Sequence, residues 1–280
     1  MSAFKTILKT KDYFLSKEEF DLLHDPKTEM LITSPRPDNI ERYYDSSAYI
    51  SHQDKPQGII DKIYHLVKSY TLKRKLKLIN RYAQKEKKLL DIGAGTGEFL
   101  IKAKANGWTV LGVEPNLTAQ SRAIKKGLSV LTSIDSLPNT KYKIITLWHV
   151  LEHMPNLEEQ IDKFVNCLHE DGSLIIAVPN YKSYDAVYYR KYWAAYDVPR
   201  HLWHFSQKSI ATLFEKHGLA VVKTIPMPFD SFYVSLLSEK YKKGRTNYIS
   251  AFYRGLLSNL KARRTNEYSS LIYVLQRPIT

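Results

Sequence analysis

The sequence predicts a doubly wound α/β fold: a mostly parallel, seven-stranded Rossmann-like sheet with helices on both faces. Three observations predict it. From about residue 59 onward, short continuous apolar runs alternate with segments of helical period. Runs that are apolar throughout mark strands buried on both faces, and strict alternation with helices marks parallel crossovers. The first such run, "KKLLDIG", passes directly into a glycine-rich turn, "GAGTG", that opens a helix. Finally, Gly107, Gly127 and Gly172 close helical segments, where a C-terminal cap is expected.

Residues 1–55 form a separate cap, rich in loops, with "TSPRPDNIERYYDSSAYISHQDKPQG" supplying turn formers. The main domain, 56–280, begins with a helix from Ile59 to about Tyr82. The strands then read "KKLLDIG", "WTVLGVEP", "LSVLTS", "YKIITLWHV", "SLIIAVPN", "LAVVKTIPM" and "SSLIYVLQR". Helices are expected at "GEFLIKAKANG", "LTAQSRAIKKG", "LEEQIDKFVNCLHEDG" and "SQKSIATLFEKHG", with a helical insertion over about 231–263 before the last strand.

The bulk numbers exclude several classes. No run approaches the ~18 apolar residues of a membrane span, and the N-terminus lacks the apolar core of a signal peptide. Cys167 is the single cysteine, so neither an intrachain disulfide nor a thiolate metal cluster forms. A cytoplasmic protein fits. The net charge of +14 is concentrated in "DKIYHLVKSYTLKRKLKLINRYAQKEKK" and "EKYKKGRTNYISAFYRGLLSNLKARR". Such stretches are ordinarily solvated faces; an anionic acceptor or a membrane surface is the next reading. Nucleic acid is disfavoured, because the 20 tyrosines are scattered and form no RNA-binding strand motif. Nothing sets an oligomeric state.

In such sheets the ligand lies beyond the carboxyl ends of the strands. The turn after the first strand reads Gly93-Ala-Gly95-Thr-Gly97, without the G-x-x-G step of dinucleotide enzymes. Glu114, at the end of the second strand, can accept hydrogen bonds from ribose hydroxyls. Both NAD and S-adenosylmethionine (SAM) satisfy that. Asp91 separates them: a carboxylate beside the loop repels a pyrophosphate and suits a ligand with an ammonium group, which is SAM.

With "LLDIGAGTGEFL", "VLGVEPN", "LWHVLEHMPN" and "DGSLIIAVPN" in order, the chain resembles the class I SAM-dependent methyltransferases over roughly residues 60–280. The resemblance implies that Asp91, Gly93 and Gly95 line the methionine part of SAM and that Glu114 holds the ribose. Pro115 and Asn116 flank the adenosine, Ser133 and Ile134 meet the adenine, and Trp148 and His149 lie beside the sulfonium. His153 is expected to be a structural hydrogen bonder. Tyr142-Lys143 stands where many relatives have Phe-Asp; the change is not expected to abolish binding.

The loop "WAAYDVPRHLWHFS", 193–206, follows the fifth strand and would overhang the methyl group. Its Pro-Arg-His-x-x-His-Phe run resembles relatives active in quinone-pathway O-methylation or sugar methylation. His201 or His204, with Asp197, would take a proton from a hydroxyl acceptor; Trp193, Tyr196 and Arg200 would shape the pocket or clamp an anion. His201 ranks above His204, because His204 precedes Phe205 and could turn inward. From the cap, Tyr43, Tyr44, Tyr49 and His52 could reach the acceptor. The cap resembles a segment that in relatives follows a small zinc module, but it has no cysteine, so no metal is expected. The expected activity is methyl transfer from SAM to a small or medium-sized acceptor at oxygen, a sugar precursor or quinone-like aromatic. RNA or protein methylation through the basic helices, or a non-catalytic SAM-binding scaffold, are the rival readings.

Overall fold

The computed structural model describes residues 4–44, 59–83 and 86–278. The proposed boundary at residues 55–56, and with it Tyr49 and His52, lies outside the described residues.

The main sheet comprises β4 (Lys88–Ile92), β5 (Thr109–Val113), β6 (Val130–Leu131), β7 (Tyr142–Trp148), β8 (Leu168–Pro179), β10 (Ala220–Pro226) and β11 (Ser270–Gln276). It has seven strands in the order β10-β11-β8-β7-β4-β5-β6. All neighbours pair in parallel except β11, which is antiparallel to both β8 and β10. Strand alternation sends successive residues to opposite faces. Leu90, Ile92, Ile145, Leu147 and Ile176 enter one core with α4 (Leu157–Val165) and α6 (Gln207–Glu215). Leu89, Ile144, Ile175 and Ala177 enter the other with α1 (Ile59–Tyr82) and α2 (Glu98–Lys104). Leu157, Ile161 and Phe164 on α4 show why that segment is a helix: their spacing gives one apolar stripe, fully buried. The remaining helix on this side of the sequence, α3 (Leu117–Lys125), is capped by Asn116, whose side chain accepts from the Ala119 N–H.

The element boundaries depart from expectation at two places. The helix expected to end at Gly172 stops at Val165, and β8 begins at Leu168. Gly172 is therefore a strand residue rather than a cap. A Cβ there would lie 2.9 Å from the His169 carbonyl and 3.0 Å from that of Lys143, so close backbone approach demands glycine. Lys143 is buried and pairs with Asp171 Oδ2 at 2.6 Å, so its cation is neutralised next to the strand start. The insertion over 231–263 is two helices, α7 (Asp230–Lys243) and α8 (Tyr248–Thr265), broken at Gly244, whose φ of 72° ends α7.

The cap carries, between its loops, three strands: β1 (Lys5–Lys11), β2 (Glu19–His24) and β3 (Leu31–Ser34). They form an antiparallel sheet completed by β9 (Trp203–His204) from the distant 193–206 loop, with Leu31 opposite His204. Phe20, Leu22, Leu31 and Tyr43 bury against Trp193, Tyr196 and Val198 and against α5 (Tyr184–Tyr189). The cap is thus welded to the acceptor-side loop.

Candidate active site

Four adjacent parallel strands, β7-β4-β5-β6, end on one edge, and the residues after them form a continuous ledge. The turn after β4 is built by three left-handed glycines: Gly93 at φ 72°, Gly95 at φ 54° and Gly97 at φ 77°. A Cβ on Gly93 would lie 2.3 Å from Val150 Cγ2, and one on Gly97 2.2 Å from Leu128 Cδ1. A Cβ on Gly95 would meet nothing within 4 Å. Gly95 therefore faces open space, as a residue beneath a ligand must.

Glu114, at the end of β5, is 9% exposed. Its Oε2 accepts from the Gly95 N–H at 2.8 Å and its Oε1 from the Asn116 N–H at 2.9 Å. Each carboxylate oxygen keeps a further lone pair. The two backbone bonds hold the carboxylate in place with acceptor capacity to spare, and they fix it to the same turn that presents Gly95. Pro115 is exposed on this rim. After β6, the Ser133 hydroxyl accepts from the Asp135 N–H, starting a single helical turn in which Ile134 is buried.

Asp91 lies within β4 and is 2% exposed. Thr146 on β7 donates to its Oδ1 at 2.5 Å. Burial raises its pKa to about 7 despite that bond and the nearby Lys75 cation. Lys75, on α1, lies with its Nζ 4.3 Å from the centre of the Trp148 ring. Burial lowers its pKa to about 8, with Asp91 and Asp230 opposing. Trp148 Nε1 is buried without a hydrogen-bond partner among the described residues. The aromatic face and the two carboxylates favour the Lys75 cation, but burial outweighs them.

His149 follows Trp148 at φ 58°. Its Nδ1 lies 3.3 Å from Glu152 Oε1 and its Nε2 3.2 Å from Asp230 Oδ2, at the start of α7. Burial would lower its pKa, but the two carboxylates win and raise it to about 9. His149 is thus an imidazolium at neutral pH, a cation on the ledge rather than a base.

Glu152 and His153 occupy the next turn. Glu152 is 1% exposed; His149 Nδ1 pairs with its Oε1, and its Oε2 accepts no hydrogen bond among the described residues. His153 Nδ1 donates to the Arg200 carbonyl at 3.0 Å, with the Tyr44 hydroxyl 3.0 Å from the same nitrogen. Burial and the neighbouring His201 ring lower its pKa to about 4. His201 Nδ1 donates to the Ala195 carbonyl at 2.8 Å, which leaves Nε2 as the acceptor in the neutral ring. The His153 and His201 ring centres are 4.5 Å apart. One ligand atom each from Glu152, His153 and His201 lies within 4.8 Å of the others, so this cluster is where a metal ion could be held.

The rest of the 193–206 loop turns inward. Arg200 is 1% exposed; its guanidinium donates to Asp197 at 2.6 Å, to Asp12 at 2.9 Å and to the Tyr43 carbonyl at 3.2 Å. With both carboxylates engaged, the anion clamp read from the sequence is instead an internal ion triad, and Asp197 is part of it. Burial opposes ionisation of Asp12 and Asp197, but pairing with Arg200 holds both carboxyls below the usual range. His204 is buried as well. Thr33 Oγ1 donates to the His201 carbonyl, so it accepts from His204 Nε2 at 3.0 Å, and burial holds that imidazole well below its ordinary pKa. Trp193 Nε1 donates to Asp185 at 2.7 Å, and Tyr196 stacks edge-on against Trp193 and His204. Tyr43 is fully buried, its hydroxyl bonded to Glu18. Of the acceptor-side residues named from the sequence, His201 and Tyr44 bring side chains to His153, and Arg200 reaches it through its backbone carbonyl. Sequence reasoning missed Lys75, Glu152 and Asp230; only Glu152, in the quoted "LWHVLEHMPN", lay in a motif that could have drawn notice.

A roomy cleft lies elsewhere, against the cap. It measures about 790 Å³ and gathers Lys9, Lys11, Lys17, Lys191, Lys240 and Lys242 around Tyr13, Tyr192 and Tyr241, with one carboxylate, Glu19. A narrow neighbouring cavity shares Thr10, Lys11, Tyr13, Phe14 and Tyr241 with it and is also lined by Trp193, Tyr196, Asp197 and Arg200.

Residues 65–224 match the family model described as a methyltransferase domain. The chain belongs to the methyltransferase-domain family. The solved structures agree on the fold. A magnesium protoporphyrin IX methyltransferase from Synechocystis PCC 6803 with bound SAH superposes with a TM-score of 0.57 at 14% identity, covering 85% of this chain and 97% of that one. A SAM-dependent methyltransferase from Archaeoglobus fulgidus gives 0.51 at 18% identity, covering 74% and 94%. A cyclopropane synthase from Mycobacterium tuberculosis gives 0.51 at 15% identity, covering 72% and 82%. No curated protein matches in sequence. The methyltransferase is therefore an enzyme of methyl transfer, and its fold and family support SAM as the donor.

Proposed function

We propose that this methyltransferase methylates a hydroxyl oxygen of a small, anionic acceptor, with His201 receiving the proton. The observation that carries the reading is the orientation of His201: its Nδ1–H is spent on the Ala195 carbonyl, so Nε2 is the lone-pair face in the neutral ring. Asp91, Glu114 and the open face of Gly95 suit the amine, ribose and body of SAM in turn. When bound, SAM supplies an activated methyl carbon and a neutral thioether leaving group. The acceptor oxygen forms the new bond to that carbon as the carbon–sulfur bond breaks, and the hydroxyl proton passes to His201 Nε2. Positioning supplies much of the acceleration. The lysine cleft, although it lies away from the ledge, gives the enzyme a positive face that favours the approach of an acceptor with a phosphate or carboxylate group. A sugar precursor fits this better than a neutral quinone.

A second reading has its own observation. Glu152 is buried, with His149 Nδ1 against its Oε1 and no donor on its Oε2 among the described residues, and the Nε2 atoms left over on His153 and His201 are acceptors too. A divalent cation at these three residues would acidify the acceptor hydroxyl directly. The test measures release of demethylated SAM with a panel of hydroxylated small molecules, with and without phosphate or carboxylate groups. Turnover that survives EDTA supports His201 as base. Turnover lost to EDTA and restored by a divalent metal supports the cation. Failure to bind SAM in calorimetry sinks both.

A further inference from the structure

α8 is amphipathic in an inverted sense. Its inner face is made of small residues, Ala251, Gly255, Ser258 and Ala262, all buried. A Cβ on Gly255 would lie 2.7 Å from the Phe232 ring, so α7 and α8 pack at backbone distance. The large apolar side chains point the other way. Ile249 is 85% exposed, Phe252 62%, Tyr253 56%, Leu256 40% and Leu260 46%. At this helical spacing they form one outward stripe, which with Tyr248 presents on the order of 600 Å² of apolar-rich surface. That is at or above the ~300–600 Å² of the largest patch on an ordinary monomer. Phe252 keeps one face on the Phe232 ring of α7, with 5.4 Å between ring centres, and the rest of the stripe is turned to solvent.

The charge around the stripe has one sign. From Lys240 to Asn266 the sequence contains eight lysines and arginines and no acid. Arg254 lies over the Tyr188 ring at 3.9 Å and Lys261 over the Tyr184 ring at 3.9 Å, so both are held along the α5 flank of the stripe. Arg263 and Arg264 close its C-terminal end, and Arg245 precedes its N-terminal end. Apolar side chains in the middle, aromatics among them, and cations at the margins are the arrangement of a helix lying in a lipid headgroup layer. A protein partner with an apolar patch would cover the stripe equally well, but it would not require acids to be absent over 27 residues of sequence.

We propose that α8 docks this enzyme on an anionic lipid surface, with the stripe centred on Ile249, Phe252 and Leu256 entering the acyl boundary and the flanking arginines and lysines meeting acidic headgroups. No helix among the described residues is long and apolar enough to cross a membrane, so the contact is peripheral and reversible. The reading stands apart from the chemistry of the ledge, since none of its residues belongs to α8.

The test is co-sedimentation of the full chain with vesicles of phosphatidylcholine alone and of phosphatidylcholine mixed with phosphatidylglycerol. Binding is expected to the mixed vesicles, to weaken with added salt, and to be slight on phosphatidylcholine alone. Ile249→Glu with Phe252→Glu should reduce binding about tenfold or more, since both apolar area and net charge contribute. Arg263→Glu with Arg264→Glu should reduce it on mixed vesicles without altering the apolar stripe. Circular dichroism melting of each variant confirms the fold. Two results would overturn the proposal: equal binding by wild type and the glutamate variants, or no binding to mixed vesicles. If, instead, light scattering shows a concentration-dependent dimer that Ile249→Glu with Phe252→Glu abolishes, the stripe is an interface between copies and not a lipid contact.

Discussion

Glu114→Gln is the most informative single change on the ledge. Wild-type Glu114 accepts from two backbone N–H groups, at 2.8 and 2.9 Å, one at Gly95 and one at Asn116. Glutamine keeps one acceptor oxygen and replaces the other by an NH2 group, which faces a donor and cannot bond it. One backbone N–H loses its partner in a site that is nearly closed, at a cost of about 1–3 kcal/mol in stability. For a chain of this size that is about 2–4 °C in Tm per kcal/mol. The proposed ribose contact adds a separate loss. A hydrogen bond to a charged group contributes about 1.5–3 kcal/mol, so the Kd for SAM should rise about 10- to 150-fold. Calorimetric titration with SAM and with its demethylated product reads the second effect, and thermal melting without ligand reads the first. The two must be compared, because a looser glycine turn alone would also weaken binding. A melting shift with unchanged SAM affinity would remove Glu114 from the ribose and leave it as a brace for the Gly95 turn.

Four further outcomes follow from the geometry. His201→Ala should lower kcat about 10²- to 10⁴-fold with SAM affinity nearly unchanged, whereas His204→Ala should mainly lower stability; equal kinetic losses in the two would refute the assignment of the base. Arg200→Met leaves Asp12 and Asp197 without their shared cation and should destabilise by about 3–5 kcal/mol, measured by urea unfolding. The same triad sets an acid limit: Asp12 and Asp197 have depressed folded-state pKa values, so their contribution is fully present above the ordinary carboxylate pKa and is lost as pH falls through the folded values, which urea midpoints in acid will show. His149 has the opposite sign. Its raised pKa, about 9, stabilises below the ordinary imidazole value and is lost as pH rises through 9; an NMR titration should find that pKa, and Asp230→Asn should bring it down.

The parallel sheet, the glycine turn and Glu114 were legible because each is local. A strand ending in Asp91, three glycines and an acid at the end of the next strand are fixed by a few consecutive residues. The fate of the 193–206 loop was not legible. Arg200 reads as an anion clamp and Asp197 as a proton-transfer partner, and only the arrival of Asp12, 188 residues earlier, turns them into an internal triad. The cap strands were missed for the same reason: β3 is four residues long and is recognised as a strand by its partners, β2 on one side and β9 on the other. Gly172 misled because a glycine after a helical run is usually a cap, while here the bulged start of β8 uses it for close backbone packing.

The sheet that joins β3 to β9 has a consequence for how the chain is made. Leu31 leaves the ribosome long before its partner His204, about 170 residues later in the sequence. At 5–20 residues per second, that is a wait of roughly 10–35 s in which the three-stranded cap has an unfilled edge. Its other edge, β1, carries Lys5, Lys9 and Lys11 on either side of Ile7 and Leu8, and edge lysines discourage a stray strand from pairing there. The β3 edge, "LITS", carries no charge. Until β9 arrives, residues 31–34 are the uncharged edge of the cap sheet at which a stray strand can pair.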